Sequence, residues 1–189
     1  LELNNVMGTF IQKLSLNIDA EQMLTDFNTV LSVCPWPIGN QIGLRHRTGA
    51  IDHWTDGAGS LYDYESNTHN ANESVFANWN PAAPEYLKSI VATLLGSYQW
   101  GIGRVRYMRL LPKTGLTVHN DLEPRFHYVF DTNQYCYICD SQPKNHAICY
   151  HLPADGNFYQ VDTTRNHYVY NGGTTERIHL VICPVVPNK

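Results

Sequence analysis

The chain has 189 residues, 43% hydrophobic and 16% charged, and a formal charge of −4 from 13 basic and 17 acidic side chains. That length suits one domain with its own core and excludes an intrinsically disordered chain. The basic residues are scattered, which leaves no electrostatic footprint for nucleic acid. No apolar run approaches the roughly 18 residues of a membrane span, and the opening "LELNNVMGTF" lacks the charged-then-apolar order of a signal peptide. A cytoplasmic protein that partners neither membrane nor nucleic acid is the expectation.

In "DAEQMLTDFNTVLSV" the apolar residues Met23, Leu24, Phe27, Val30 and Leu31 recur at helical spacing. Asp19 is placed to cap this first helix, with Gln22 as its capping-box partner, and Pro35 and Pro37 end it. "NQIGLRHRTG" reads as a strand. From about 52 to 80 no period is visible, which predicts long surface loops of the kind that often carry function. Arg45, Arg47, His53 and Trp54 stand where substrate-shaping loops would be expected, although an exposed basic strand is the commoner explanation of them. "PEYLKSIVATLLGSY" predicts a second helix with Pro84 in its first turn and Gly96 at its C′ position. After Gly101 the texture becomes β: "RVRYMRLL", "RFHYVF", "QYCYIC", "HAICYHL", "NFYQVD", "HYVYN" and "RIHLVICPV" are separated by turn signals. Seven short strands in so few residues imply a sandwich or barrel, and helices that precede them imply a mainly β, α+β domain with the helices packed on one sheet.

Residues 117–127, "TVHNDLEPRFH", concentrate ionisable groups. If "VHND" is extended, His119 and Asp121 share a face. Metal ligands, an acid/base pair and a surface accident are all open on that evidence. Further on, His167 precedes a Gly-Gly turn and then Arg177, so a hairpin centred on Gly172 would bring the two opposite each other. A link that crosses between two packed sheets would also leave them close. Two neutral imidazoles and one carboxylate on one face of a metal leave three positions open, the ligand set of non-haem iron(II) oxygenases. A guanidinium such as that of Arg177 suits the remote carboxylate of a 2-oxo acid.

In order, "LLPKTGLTVHND", "PRFHYVF", "FYQVDTTRNHYVYN" and "RIHLVICP" resemble the motifs of 2-oxoglutarate/iron(II) dioxygenases, specifically their aspartyl/asparaginyl β-hydroxylase-like branch. The resemblance covers about residues 104–187. It implies a double-stranded β-helix (jelly-roll) catalytic core over 104–187, preceded within the same domain by helices, strand and substrate-shaping loops over 1–103. It implies iron(II) ligation by His119 and His167, and a 2-oxoglutarate carboxylate on Arg177. "Arg125-Phe-His127" looks like the branch's R-x-H strand motif, whose side chains also reach the cosubstrate. Asp121 departs from those branch members in which the acid position is empty, and so supplies a third ligand. The implied activity is oxygen-dependent hydroxylation of an unactivated C–H bond in a small molecule or a peptide side chain, an aspartyl/asparaginyl one included, with 2-oxoglutarate converted to succinate. The alternatives are a non-catalytic jelly-roll module that binds a small carboxylate, and a cupin-type metalloenzyme that does not use 2-oxoglutarate.

Cys136, Cys139, His146 and Cys149 in "CYICDSQPKNHAIC" loosely echo a zinc knuckle. On a strand, however, Cys136 and Cys139 face opposite ways. The five cysteines, with Cys34 and Cys183, are an odd number in a chain too long to be a disulfide scaffold, and free thiols in a reducing compartment are expected.

Overall fold

The computed structural model describes residues 8–187 except Tyr64, Asn70 and Asn145, so most of the opening "LELNNVMGTF" lies outside the described residues. The N-terminal part holds β1 (Ile11–Leu14), α1 (Ala20–Val33), β2 (Gln41–Gly43), β3 (Arg45–His46), β4 (Tyr62–Asp63) and β5 (Thr68–His69). A 3-10 turn (Glu73–Val75), β6 (Asn78–Trp79) and α2 (Glu85–Ser97) follow. The β-rich part comprises β7 (Gly101–Leu110), β8 (Thr114–His119), β9 (Arg125–Asp131), β10 (Cys136–Gln142), β11 (His146–Tyr150), β12 (Phe158–Val161), β13 (His167–Asn171) and β14 (Arg177–Val185).

Two antiparallel sheets carry the fold, one in the order β1-β12-β9-β14-β7-β2 and one in the order β11-β10-β13-β8. Val129, Tyr159 and Val161 of the larger sheet share a buried cluster with Ile138 and Val169 of the smaller. The two sheets therefore pack face to face, a mainly β architecture with two helices that fits a jelly roll. Alternation along β14 shows how one strand serves two layers. Ile178, Leu180 and Ile182 join a second cluster with Met23, Phe27 and Val30 of α1 and Leu87, Val91 and Leu94 of α2. The intervening Arg177 and Val181 point the other way, into a cavity. Among the described residues no helix is long and apolar enough to cross a membrane.

Asp19 caps α1 by accepting from the backbone N–H of Gln22 (3.0 Å), but the expected capping box does not form: the Asp19 backbone N–H donates to the Tyr86 hydroxyl (2.7 Å) and the Gln22 amide donates to Asp26 (2.8 Å). Asp26 is buried, and its other oxygen accepts from the backbone N–H of Leu87 (3.0 Å). The first helix thus supplies the N-terminal cap that Pro84 cannot give α2.

Several expectations are corrected. α2 runs through Gly96, and the left-handed residue beyond it is Gln99 (φ 57°). The strand expected in "NQIGLRHRTG" breaks at Leu44, whose N–H still donates to Val105 of β7 while its C=O accepts from the backbone N–H of Asn80. The region 52–80 is not wholly surface loop, because Glu73 and Phe76 are buried. No hairpin centres on Gly172: β13 and β14 belong to different sheets. Asn171 is fully buried where the chain crosses, and donates to the carbonyls of Leu110 (3.1 Å) and Thr175 (2.8 Å). Finally, Cys139 and Cys149, directly opposed on β10 and β11, form a disulfide, while Cys34, Cys136 and Cys183 are free and buried. That bond removes the free-thiol argument for a reducing compartment. It also removes Cys139 and Cys149 from any zinc site.

Candidate metal and anion site

His119 ends β8 directly opposite His167, the first residue of β13, and their ring centroids lie 4.3 Å apart. Past the strand end, the Asp121 backbone N–H donates to the Thr163 carbonyl (2.8 Å), which fixes the turn that brings its side chain back. One ligand atom from each of His119, Asp121 and His167 lies within 4.8 Å of the other two. Among the described residues this is the one such group of three His, Cys, Asp or Glu side chains.

The imidazoles are set up to be ligands. The Nδ1 of His119 lies 2.7 Å from the Thr117 carbonyl and that of His167 lies 3.0 Å from the Arg165 carbonyl. A carbonyl only accepts, so each Nδ1 carries the proton and each Nε2 keeps a lone pair. Burial lowers the pKa of His167, and the nearby His119 and Arg125 add to this, which favours the neutral ring a metal needs. Burial would raise the Asp121 carboxyl, but Arg125, His167 and His119 outweigh it and hold the group below its ordinary value.

A cavity of about 560 Å³ is lined by this trio together with Arg125, His127 and Arg177. All six residues singled out in the sequence therefore meet in one place. Arg177 is buried, and no hydrogen bond or ion pair to its guanidinium occurs among the described residues. Burial with no carboxylate partner pushes its pKa down to about 10, the state of a cation that awaits an anion. Arg125 shares its Nη2 between Asp121 Oδ1 (3.1 Å) and Glu73 Oε1 (3.3 Å), and its Nη1 is buried without a partner. His127 Nδ1 lies 3.4 Å from His179 Nδ1, and its Nε2 is likewise unpartnered. Burial, with Arg177 nearby, holds both His127 and His179 well below the usual histidine range.

Other candidates lie elsewhere. Arg45 donates to the carbonyls of Ile102, Gly103 and Ala77, Arg47 pairs with Asp56, and His53 stacks on His46 at 3.8 Å; none of them, nor Trp54, lines the cavity. His146 is exposed, and His151 Nδ1 bonds the Cys136 carbonyl (3.0 Å). Sequence reasoning missed Glu73, Arg104 and Arg106, which also line the cavity. For the two arginines the signal was present: "RVR" in a buried strand places both on one face. Glu73 lies in an aperiodic segment that offers no such signal.

No curated protein sequence matches the chain. Among solved structures, a 2OG-Fe(II) oxygenase family oxidoreductase from Burkholderia pseudomallei is similar over 93% of this chain and 84% of its own, at 14% identity and a TM-score of 0.57. AviO1 from Streptomyces viridochromogenes Tue57 is similar over 94% of this chain and 90% of its own, at 11% identity and a TM-score of 0.50. At such identities the likeness is one of fold. The sequence itself carries more: the model of the aspartyl/asparaginyl β-hydroxylase family matches residues 60–186, well over half of the chain and every residue of the cavity trio, and the chain belongs to that family.

Proposed function

We propose that the protein is an iron(II)- and 2-oxoglutarate-dependent hydroxylase in which His119, Asp121 and His167 ligate the metal and Arg177 binds the remote carboxylate of the cosubstrate. The observation that carries this reading is the matched pair of imidazoles, each with Nδ1 tied to a main-chain carbonyl and Nε2 left free, beside a carboxylate within 4.8 Å. Outer hydrogen bonds of this kind orient a ligating histidine and raise its basicity. The donor set of two neutral nitrogens and one anionic oxygen suits iron(II) and leaves positions for a bidentate 2-oxo acid and dioxygen.

The unpaired guanidinium of Arg177 gives the cosubstrate a charge-assisted, bidentate anchor in a water-poor site. Arg125 Nη1 and His127 Nε2, both buried and unpartnered, are the further donors available to it. When bound, iron with 2-oxoglutarate supplies the redox chemistry that activates dioxygen. The protein holds the target carbon beside the metal and keeps water out. The family match supports a hydroxylase, and a peptide or small molecule that bears an aspartyl- or asparaginyl-type side chain is the substrate class it favours. The test is oxygen-dependent succinate formation across a panel of peptides, free amino acids and small acids. Succinate coupled to one hydroxylated product is expected. Tight 2-oxoglutarate binding with no iron uptake would identify a carboxylate-binding module instead.

A further inference from the structure

We propose that Glu73 is a positioning residue for the metal centre, acting through Arg125 to set the orientation of the Asp121 carboxylate and the share of its charge left for a divalent ion. The inference rests on the reading of His119, Asp121 and His167 as metal ligands. Four side chains form an alternating chain of charge: Arg104, Glu73, Arg125, Asp121. Glu73 Oε1 accepts from Arg104 Nη2 (2.8 Å) and lies 3.3 Å from Arg125 Nη2, which in turn lies 3.1 Å from Asp121 Oδ1. Glu73 Oε2 accepts from the backbone N–H of Arg104 and from its Nε, both at 3.0 Å. Both carboxylate oxygens are therefore fixed, and the oxygen that faces Arg125 cannot turn away.

The fold makes room for this carboxylate. A Cβ at Gly103 would stand 2.6 Å from Glu73 Cβ and 2.7 Å from the Cys183 carbonyl, so a residue without a side chain precedes Arg104 where Glu73 enters. Burial opposes ionisation of Glu73, but the hydrogen bonds and charge of Arg104, with Arg125 and Arg106 beyond, outweigh it and hold the carboxyl at about 2.

Without the Glu73 charge, Arg125 Nη2 has one carboxylate left, that of Asp121. It would then compete with the metal for that carboxylate, and the site would gain one positive charge. Both effects oppose a dication. The segment that bears Glu73 is thereby tied to the metal, although it contributes no ligand.

Anaerobic titration with cobalt(II), whose d–d absorption reports its ligand set, tests this. Glu73→Gln is expected to weaken cobalt binding by roughly 10- to 100-fold, the range for loss of a group that orients a metal ligand, and to shift the d–d bands. In an Arg125→Gln background the same change should have little further effect, because residues that act in series are not additive. A merely structural role would lower the melting temperature and leave the bands in place. Because Glu73→Gln strands the Arg104 charge, Glu73→Gln/Arg104→Gln, which removes both buried charges together and leaves the net charge of the site unchanged, provides a second variant that is expected to fold and to show the part of the loss that comes from Arg125 competing for Asp121. Wild-type cobalt affinity and bands in either folded variant, or fully additive losses with Arg125→Gln, would overturn the proposal. His119→Ala in the same titration separates the two readings. If it loses cobalt while Glu73→Gln does not, the role of Glu73 alone is wrong; if it binds like wild type, the metal assignment is wrong and this inference falls with it.

Discussion

Arg177 follows His167 by ten residues, yet the two stand in opposite sheets and line the same cavity, with a buried Asn171 at the crossing between them. A hairpin would have placed the two side chains next to each other in one sheet. The crossing instead sets a cation that no carboxylate among the described residues neutralises across the cavity from the His119, Asp121 and His167 side chains. Under the proposed function, a cosubstrate with a chelating end and a remote carboxylate would span that gap.

Replacement of Arg177 by alanine is therefore expected to weaken 2-oxoglutarate binding by roughly 10- to 150-fold, the equivalent of about 1.5 to 3 kcal/mol for a charged hydrogen bond. Metal affinity should change far less. Calorimetric titration of 2-oxoglutarate into the anaerobic metal-loaded protein measures the first, and titration of iron(II) into the metal-free protein measures the second. An unchanged cosubstrate affinity would leave Arg177 with only a structural role.

Asp26→Ala is expected to destabilise the fold by about 1 to 3 kcal/mol, because the buried Leu87 N–H and the Gln22 amide lose their acceptor. Urea unfolding measures the change. Cosubstrate affinity of the folded fraction should stay at the wild-type level, since Asp26 lies outside the cavity lining.

Acid stability should depend on Glu73. Its folded-state pKa of about 2 lies below the ordinary 4.5, so its contribution is complete above about pH 4.5 and is lost as pH falls toward 2. A shift of this size corresponds to about 3 kcal/mol. Urea unfolding at pH 6 and pH 3 should show wild type losing more stability than Glu73→Gln over that interval. Parallel losses would count against the buried ion pair.

The cysteines give a simpler test. Denatured, unreduced protein should present three titratable thiols, rising to five after reduction. Five thiols without reductant would contradict the Cys139–Cys149 bond.

Much of the site was legible because its residues are unlike their surroundings: His, Asp and Arg on strands where apolar residues prevail are visible without coordinates. Six of the seven runs after Gly101 were legible for the same reason in reverse, since much of their length is buried in alternation or continuously, whereas "HAICYHL" is mostly exposed and was legible from its residue types. β8 was harder, because most of Thr114–His119 is exposed on both faces and offers no period to read. Gly96 misled as a helix end because a left-handed residue need not be glycine, and Gln99 takes that conformation. The disulfide could have been found: Cys139 and Cys149 lie symmetrically about Lys144, whose φ of 63° marks the turn. Glu73 could not, since its partners Arg104 and Arg125 are distant in sequence and only the tertiary fold brings them together.

The central claim is that one metal ion is held by His119, Asp121 and His167. Anaerobic iron(II) titration of wild type beside the His119→Ala/His167→Ala double variant tests it most directly. Wild type should bind one iron per chain, and the double variant, left with a single carboxylate, should lose that binding while its melting temperature shows it to be folded. Wild-type iron affinity in the double variant would contradict the account.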